Sequence, residues 1–264
     1  MVAFMMLAGL LLGGLINLLA DSLPTARRVT TPRCQACTAP REPLAWLALP
    51  GWIAGHGRCP YCGSHRPARA VLVEIAAALG TGWLYLTQPT AGAFLQSLLI
   101  SAVFLLILII DIEHRLILHV VSLPSALLIG LLNSLNADLG LKRTLLGGAV
   151  GFFTFFLLYL AGVIFGRWIA RRRSDAPEEE AFGFGDVMLA MVIGVTVGFP
   201  GVIEALIRGI LAAGIFSLAY LAIMALRRRY EAFSPIPYGP FLILGGWWVY
   251  FQGWSTLESL LGMG

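Results

Sequence analysis

The fold class this sequence predicts is an all-α polytopic membrane protein with about eight transmembrane helices and a zinc-binding loop between the first and second. Three observations predict it. Of the 264 residues, 58% are hydrophobic and 12% charged, against about 25% charged in soluble domains. The apolar residues fall in stretches that suit spans of about 20 residues. The charges collect between those stretches.

Residues 1–20 carry no basic segment ahead of the apolar run and no small-x-small cleavage site, so they read as a first span and not as a removable signal. Residues 21–69 form a polar, Pro-rich loop, and residues 70–264 form a transmembrane core. Spans are expected near 2–20, 70–87, 93–111, 116–133, 144–166, 184–200, 202–226 and 237–253. The fourth contains Pro124. The sixth has few apolar residues, which draws its first turn toward the interface. All basic residues except Lys142, Arg143 and Arg208 then fall on one side of the bilayer. The positive-inside rule makes that side cytoplasmic and turns both termini outward. The net charge of +4 resides in these loops and is not the footprint of a nucleic-acid binder.

All four cysteines lie in the first loop, as Cys34-x2-Cys37 and Cys59-x2-Cys62. Cytoplasmic thiols are kept reduced, and two such pairs suit a tetrahedral zinc site with four thiolates at about 2.3 Å. Four sulfur ligands leave no open position, so the metal is structural, and binding it would fold a loop too small for a core. Redox-active thiols are the alternative, and disulfides would require the opposite topology. His56 and His65 flank the second pair and read as surface residues.

Two carboxylates fall at membrane depth. The uncharged run 93–110 ends on Asp111, and Asp186 in Gly183-Phe184-Gly185-Asp186 precedes the uncharged run 187–199. A carboxylate at the centre of a span costs about 2.5–3.5 kcal/mol on insertion scales and usually has a task. The third span runs toward the cytoplasm and the sixth away from it, so topology puts Asp111 and Asp186 at one depth near the cytoplasmic face. Two carboxylates brought together share a proton, which suits acid/base chemistry. Each aspartate could instead cap a helix or pair with Arg115.

Several blocks in order resemble the prepilin peptidases, the type IV leader peptidases that also N-methylate the processed pilin. Gly13-Gly14-Leu15-Ile16-Asn17 and Leu23-Pro24 are similar to the family's opening. The four-cysteine loop follows, then Arg69-Ala70-Val71-Leu72-Val73-Glu74, Asp111-Ile112-Glu113, the Gly183-Phe184-Gly185-Asp186 box, and Ile236-Pro237-Tyr238-Gly239-Pro240-Phe241. The chain departs from the family at Met188, often Lys, at Leu118-His119-Val120, usually Leu-Pro-Asp, and at Ser22, often Arg. The resemblance implies an aspartic endopeptidase of the bacterial inner membrane, with Asp111 and Asp186 catalytic and prepilins or pseudopilins as substrates. It also implies a methyltransferase that uses S-adenosylmethionine. No dinucleotide-type glycine fingerprint places that donor.

Glu74 either helps to hold the new pilin amine for methylation or pairs with Arg69. Glu113 reads as structural, and His114 and His119 as interfacial polar residues. Arg171-Arg172-Arg173 with Glu178-Glu179-Glu180 reads as a solvated loop, and Trp247, Trp248, Tyr250 and Trp254 as an interfacial belt. Presenilin-like peptidases share the Gly-x-Gly-Asp box but lack the cysteine loop. A non-enzymatic transporter using the carboxylates as an ion or proton relay is the other reading, although no internal repeat accompanies it.

Overall fold

Backbone amides in hydrocarbon have no water to bond, so a long apolar run is confined to helix. The computed structural model describes residues 1–136, 139–170, 183–227 and 237–253, and these form α1 (Val2–Ala26), a 3-10 turn (Pro43–Ala45), α2 (Ala48–Ile53), α3 (Ala68–Thr87), α4 (Ala91–His114), α5 (His119–Leu135), α6 (Gly140–Ala170), α7 (Phe184–Val197), α8 (Gly201–Leu226) and α9 (Gly239–Gln252). Among the described residues five helices, α1, α3, α4, α6 and α8, are long and apolar enough to cross a membrane. With the family reported below, this makes the chain a multi-pass membrane protein. The remaining long helices, α5, α7 and α9, hold 17, 14 and 14 residues. α1 continues six residues past the expected span, and α4 carries on beyond Asp111 to His114.

The chain divides into two units, Met1–Ile110 and Asp111–Gly264. In the first, α1 and α3 pack antiparallel. Gly9, Gly13 and Asn17 recur every fourth residue and so share one face of α1. A Cβ at Gly9 would come within 2.6 Å of Ala77 O, and one at Gly13 within 2.7 Å of Glu74 Cα. Asn17 ends the stripe by donating from Nδ2 to Ala70 O at 2.8 Å. Small residues here let the two backbones approach, which is how helices associate where lipid removes the hydrophobic drive.

In the second unit α7 is enclosed by α5, α6, α8 and α9. Ten of its residues, Val187 to Ala190 and Val192 to Val197, are buried. Gly147, Gly148 and Gly151 of α6 lie directly on the backbone or side chains of Ala190, Gly194 and Val195. From the α5 side, Asn133 Nδ2 donates to Val195 O at 2.8 Å and Thr196 O at 3.0 Å, meeting carbonyls at the helix end. The outer helices reverse this pattern. Leu157 and Ile164 of α6, and Leu211 and Leu218 of α8, are largely exposed, as side chains solvated by lipid are.

Gly194→Val should drive α6 and α7 apart and cost at least the ~1–3 kcal/mol of an overpacked core. The expected result is a clearly lowered melting temperature in detergent. Gly162→Ala, where an added Cβ meets nothing within 4 Å, should stay within about 0.5 kcal/mol of the parent.

Candidate active site

Asp111 lies in the last turn of α4, and the helix stops four residues on at Arg115, whose φ of 52° turns the chain away. The short link that follows packs Ile117 onto Gly185, where a Cβ would sit 2.8 Å from Ile117 Cβ. Gly185 is therefore demanded by close approach. Asp186 is the third residue of α7, and its carboxylate accepts from the backbone N–H of Gly183 at the N-cap. This is half of a capping box, so the capping alternative for Asp186 is met in part. Phe184 lies between two aromatic partners, stacked on His119 at 5.6 Å and edge-on to Tyr159 at 5.8 Å. These contacts fix the first turn of α7 from both sides.

The third wall is the start of α9. The N–H of Gly239 is directed at the Asp111 carboxyl, and a Cβ at Gly239 would collide with Asp111 Oδ2. Pro240 follows at the first turn of the helix, where a missing N–H costs nothing. Asp111 is 6% exposed, and its Oδ2 is buried with no hydrogen-bond partner among the described residues. Asp186 is half-buried, near enough to Asp111 to feel its charge and near enough to Tyr238 for its own charge to act there. Two interacting carboxyls, one with a bare oxygen, can exchange protons with a group placed between them.

In the sequence Gly239 and Phe184 stand only as members of matching blocks, with no part in the site assigned to either. Pro240 marks a helix start and so a free N–H just before it, which was the available signal for Gly239. The clasp on Phe184 comes from residues 65 and 25 positions away in the chain, and no local pattern announces it. Glu113, His114 and His119 are exposed, the last against Phe184. The 171–173 and 178–180 charge blocks, Ile236 and Trp254 lie outside the described residues.

The cysteine loop forms a second site in the first unit. Two knuckles repeat one geometry. Arg33 bridges to Pro40 and Arg58 to His65, Cys34 N–H bonds Ala39 O and Cys59 N–H bonds Ser64 O, both at 2.9 Å. The turns close through the left-handed Thr38 (φ 59°) and Gly63 (φ 69°). The four sulfur atoms all lie within 4.8 Å of one another, with Cys34–Cys62 at 3.7 Å and Cys37–Cys59 at 3.6 Å. Sulfurs bonded at about 2.3 Å to one tetrahedral ion sit about 3.8 Å apart, so this cluster fits a metal ion. The Ser64 hydroxyl, 3.2 Å from Cys34 and 3.1 Å from Cys62, holds the Cys34 thiol down to about 5 and lowers that of Cys62. His56 and His65 are exposed. A cavity of about 380 Å3 opens beside the cluster, with Arg41, Glu42, His56, Arg58 and Cys59 in its wall. Its size is that of a small-molecule site.

Glu74 is fully buried. Its Oε1 accepts from Ala48 N–H at 2.6 Å and its Oε2 from Leu49 N–H at 2.7 Å, at the start of α2. Arg69 pairs with Asp21 at 2.5 Å.

A family model described as Bacterial Peptidase A24 N-terminal domain matches residues 7–88, and one described as Type IV leader peptidase family matches residues 98–218. The chain is 30% identical, over 92% of its length and 74% of the relative's, to a prepilin leader peptidase/N-methyltransferase of Burkholderia pseudomallei (strain 1026b). It is 27% identical to a protein of the same description from Stutzerimonas stutzeri, over 87% of the chain and 74% of the relative. A third, from Aeromonas salmonicida (strain A449), is 28% identical over 81% of the chain and 68% of the relative. No solved structure matches. With two family models in chain order over both units, and a relative 30% identical over 92% of this chain, the chain belongs to the type IV leader peptidase family.

Proposed function

We propose that this protein is a membrane-embedded aspartic endopeptidase that removes the leader of type IV prepilins or pseudopilins. It acts at the cytoplasmic face of the bacterial inner membrane, with eight crossings and both termini outside. It then N-methylates the new N-terminal residue with S-adenosylmethionine as donor. The observation that carries the reading is that buried Asp111 and half-buried Asp186 lie in one unit, with the charge of Asp111 acting on Asp186.

In this mechanism the two carboxyls hold one proton between them. The ionised member takes a proton from water, and the water oxygen attacks the scissile carbonyl carbon. The protonated member gives its proton to the carbonyl oxygen as the tetrahedral intermediate forms. When the C–N bond breaks, a proton passes from the dyad to the departing amine. The two roles belong to the pair and are not divided between named residues. Gly239 N–H steadies the Asp111 carboxyl throughout. A substrate that is itself a membrane helix with a polar leader presents its cleavage point where the span ends, which suits carboxyls at the last turn of α4 and the first turn of α7.

The cysteine cluster is proposed to hold one structural zinc ion through Cys34, Cys37, Cys59 and Cys62. The support is the sulfur spacing together with the absence of any open ligand position. Methyl transfer draws its support from the relatives, which are prepilin leader peptidase/N-methyltransferases. With both oxygens committed to α2, Glu74 would serve that reaction by holding the loop and not by binding the amine.

The deciding experiment incubates the purified protein with a prepilin and S-adenosylmethionine and follows leader loss and methyl gain by mass spectrometry. Asp111→Asn and Asp186→Asn should each lower cleavage by at least the ~10²–10⁴-fold that acid/base groups supply, with insertion and melting unchanged. Normal cleavage by either variant refutes the mechanism.

Gly239→Ala should act in the same direction, because its methyl group occupies the space of Asp111 Oδ2. A lowered turnover with near-normal melting is expected. Metal analysis should find one zinc per chain. Cys59→Ser should lose it and leave the 27–67 segment open to limited proteolysis.

A further inference from the structure

The loop between α1 and α3 is polar at both ends but not in its middle. From Pro43 to Gly55 it carries no charge and includes Trp46, Leu47, Leu49, Trp52 and Ile53. An apolar run of this length is too short to span a bilayer and suits a segment that dips into one face.

The contacts of α2 give its depth. The Asp21–Arg69 pair, which also receives Gln35 Nε2 at 3.1 Å, marks the polar level at the end of α1 and the start of α3. Glu74, whose carboxylate caps α2, lies five residues further along α3. Gly14, covered by Leu47, lies seven residues back along α1. At about 1.5 Å per residue, both helices put the start of α2 about 7–10 Å inside the level of the ion pair. The two estimates come from different helices and agree.

The chain enters and leaves this depth at defined points. Arg66 donates from Nη1 to Ala45 O at 2.7 Å and from Nη2 to Trp46 O at 3.1 Å, holding the entry at the polar level. The exit is the turn at Gly55 (φ 80°), after which Arg58 begins the second cysteine knuckle. In its last turn, four and five residues past Ala48, α2 presents Trp52, 67% exposed, and Ile53, 74% exposed, with the edge of the Trp52 indole against Gly57.

We infer that α2 is a re-entrant element of the membrane and that Trp52 and Ile53 are covered by lipid acyl chains. The arginines at its borders, Arg27, Arg28, Arg33, Arg41 and Arg58, face anionic headgroups. Interfacial helices of this kind bury an apolar face about 5–10 Å into the headgroup–acyl boundary, with cations at the rim. The arrangement sets the metal knuckles against the headgroups instead of out in the aqueous phase. Buried Glu74 is what makes the dip possible, because it satisfies two amides at the N-terminus of a helix lowered below water. The inference stands apart from the peptidase reading and uses contacts of the first unit only.

The test places the full chain in nanodiscs made with lipids brominated on the acyl chains, and compares it with Trp52→Phe. The emission lost in that variant isolates Trp52. That component should lose most of its intensity to bromolipid and little to aqueous iodide. The double variant Trp52→Phe/Ile53→Trp should restore a bromolipid-quenched component, which guards against a local effect of one substitution. A Trp52 component quenched by iodide and untouched by bromolipid would overturn the inference.

Discussion

The enclosure of α7 is the constraint on which the second unit depends. A helix of 14 residues is short for a perpendicular crossing, yet ten of them are buried and none is exposed, so its neighbours replace the lipid. That is possible because glycines at Gly147, Gly151 and Gly194 let α6 and α7 touch backbone to backbone, and because Asn133 closes two carbonyls at the far end. With its body held this tightly, the first turn has little freedom. Phe184 is clasped by His119 and Tyr159, Gly185 is pressed on Ile117, and Asp186 is delivered to a fixed place beside Asp111 and Tyr238. Positioning within such limits is what acid/base chemistry needs.

The first unit solves a different problem with similar means. A loop rich in proline and arginine has too little apolar surface for a core, so it is tied at several points. These are Asp21 to Arg69 and Gln35, Arg66 to the carbonyls of Ala45 and Trp46, Glu74 to the amides of α2, and the four sulfurs to one another. Two of these ties use carboxylates, and neither is Asp111 or Asp186. The boundary between the two matching family models falls between residues 88 and 98, near the boundary between the units. The cysteine cluster and the aspartates therefore belong to separately built parts of the chain.

Much of this was legible in the sequence, for physical reasons. Long uncharged runs have one backbone solution in lipid, so helices stand where spans were expected, five of them long and apolar enough to cross a membrane among the described residues. Cysteine spacing foretold the clustering of Cys34, Cys37, Cys59 and Cys62, because two knuckles are local structures. Asp111 and Asp186 were expected at one depth, and in the fold the charge of Asp111 acts on Asp186. What stayed hidden depended on contacts between distant residues. Glu74 looked like a partner for Arg69 or for a substrate amine, since only the folded loop brings Ala48 and Leu49 to it. α2 was absorbed into a polar loop because its apolar run falls short of a span. Gly239 looked like part of a sequence block, although its lack of a side chain is what Asp111 requires.

The central claim is that Asp111 and Asp186 act as one acid/base unit. Infrared difference spectroscopy of the protein in lipid, near neutral pH, reads it most directly through the absorption of a protonated carboxyl. Sharing one proton predicts a band whose frequency and pH dependence change in both Asp111→Asn and Asp186→Asn, since the proton of the remaining carboxyl is then no longer shared with a second one. A band that survives unchanged in one variant belongs to the remaining aspartate alone, and would contradict the account.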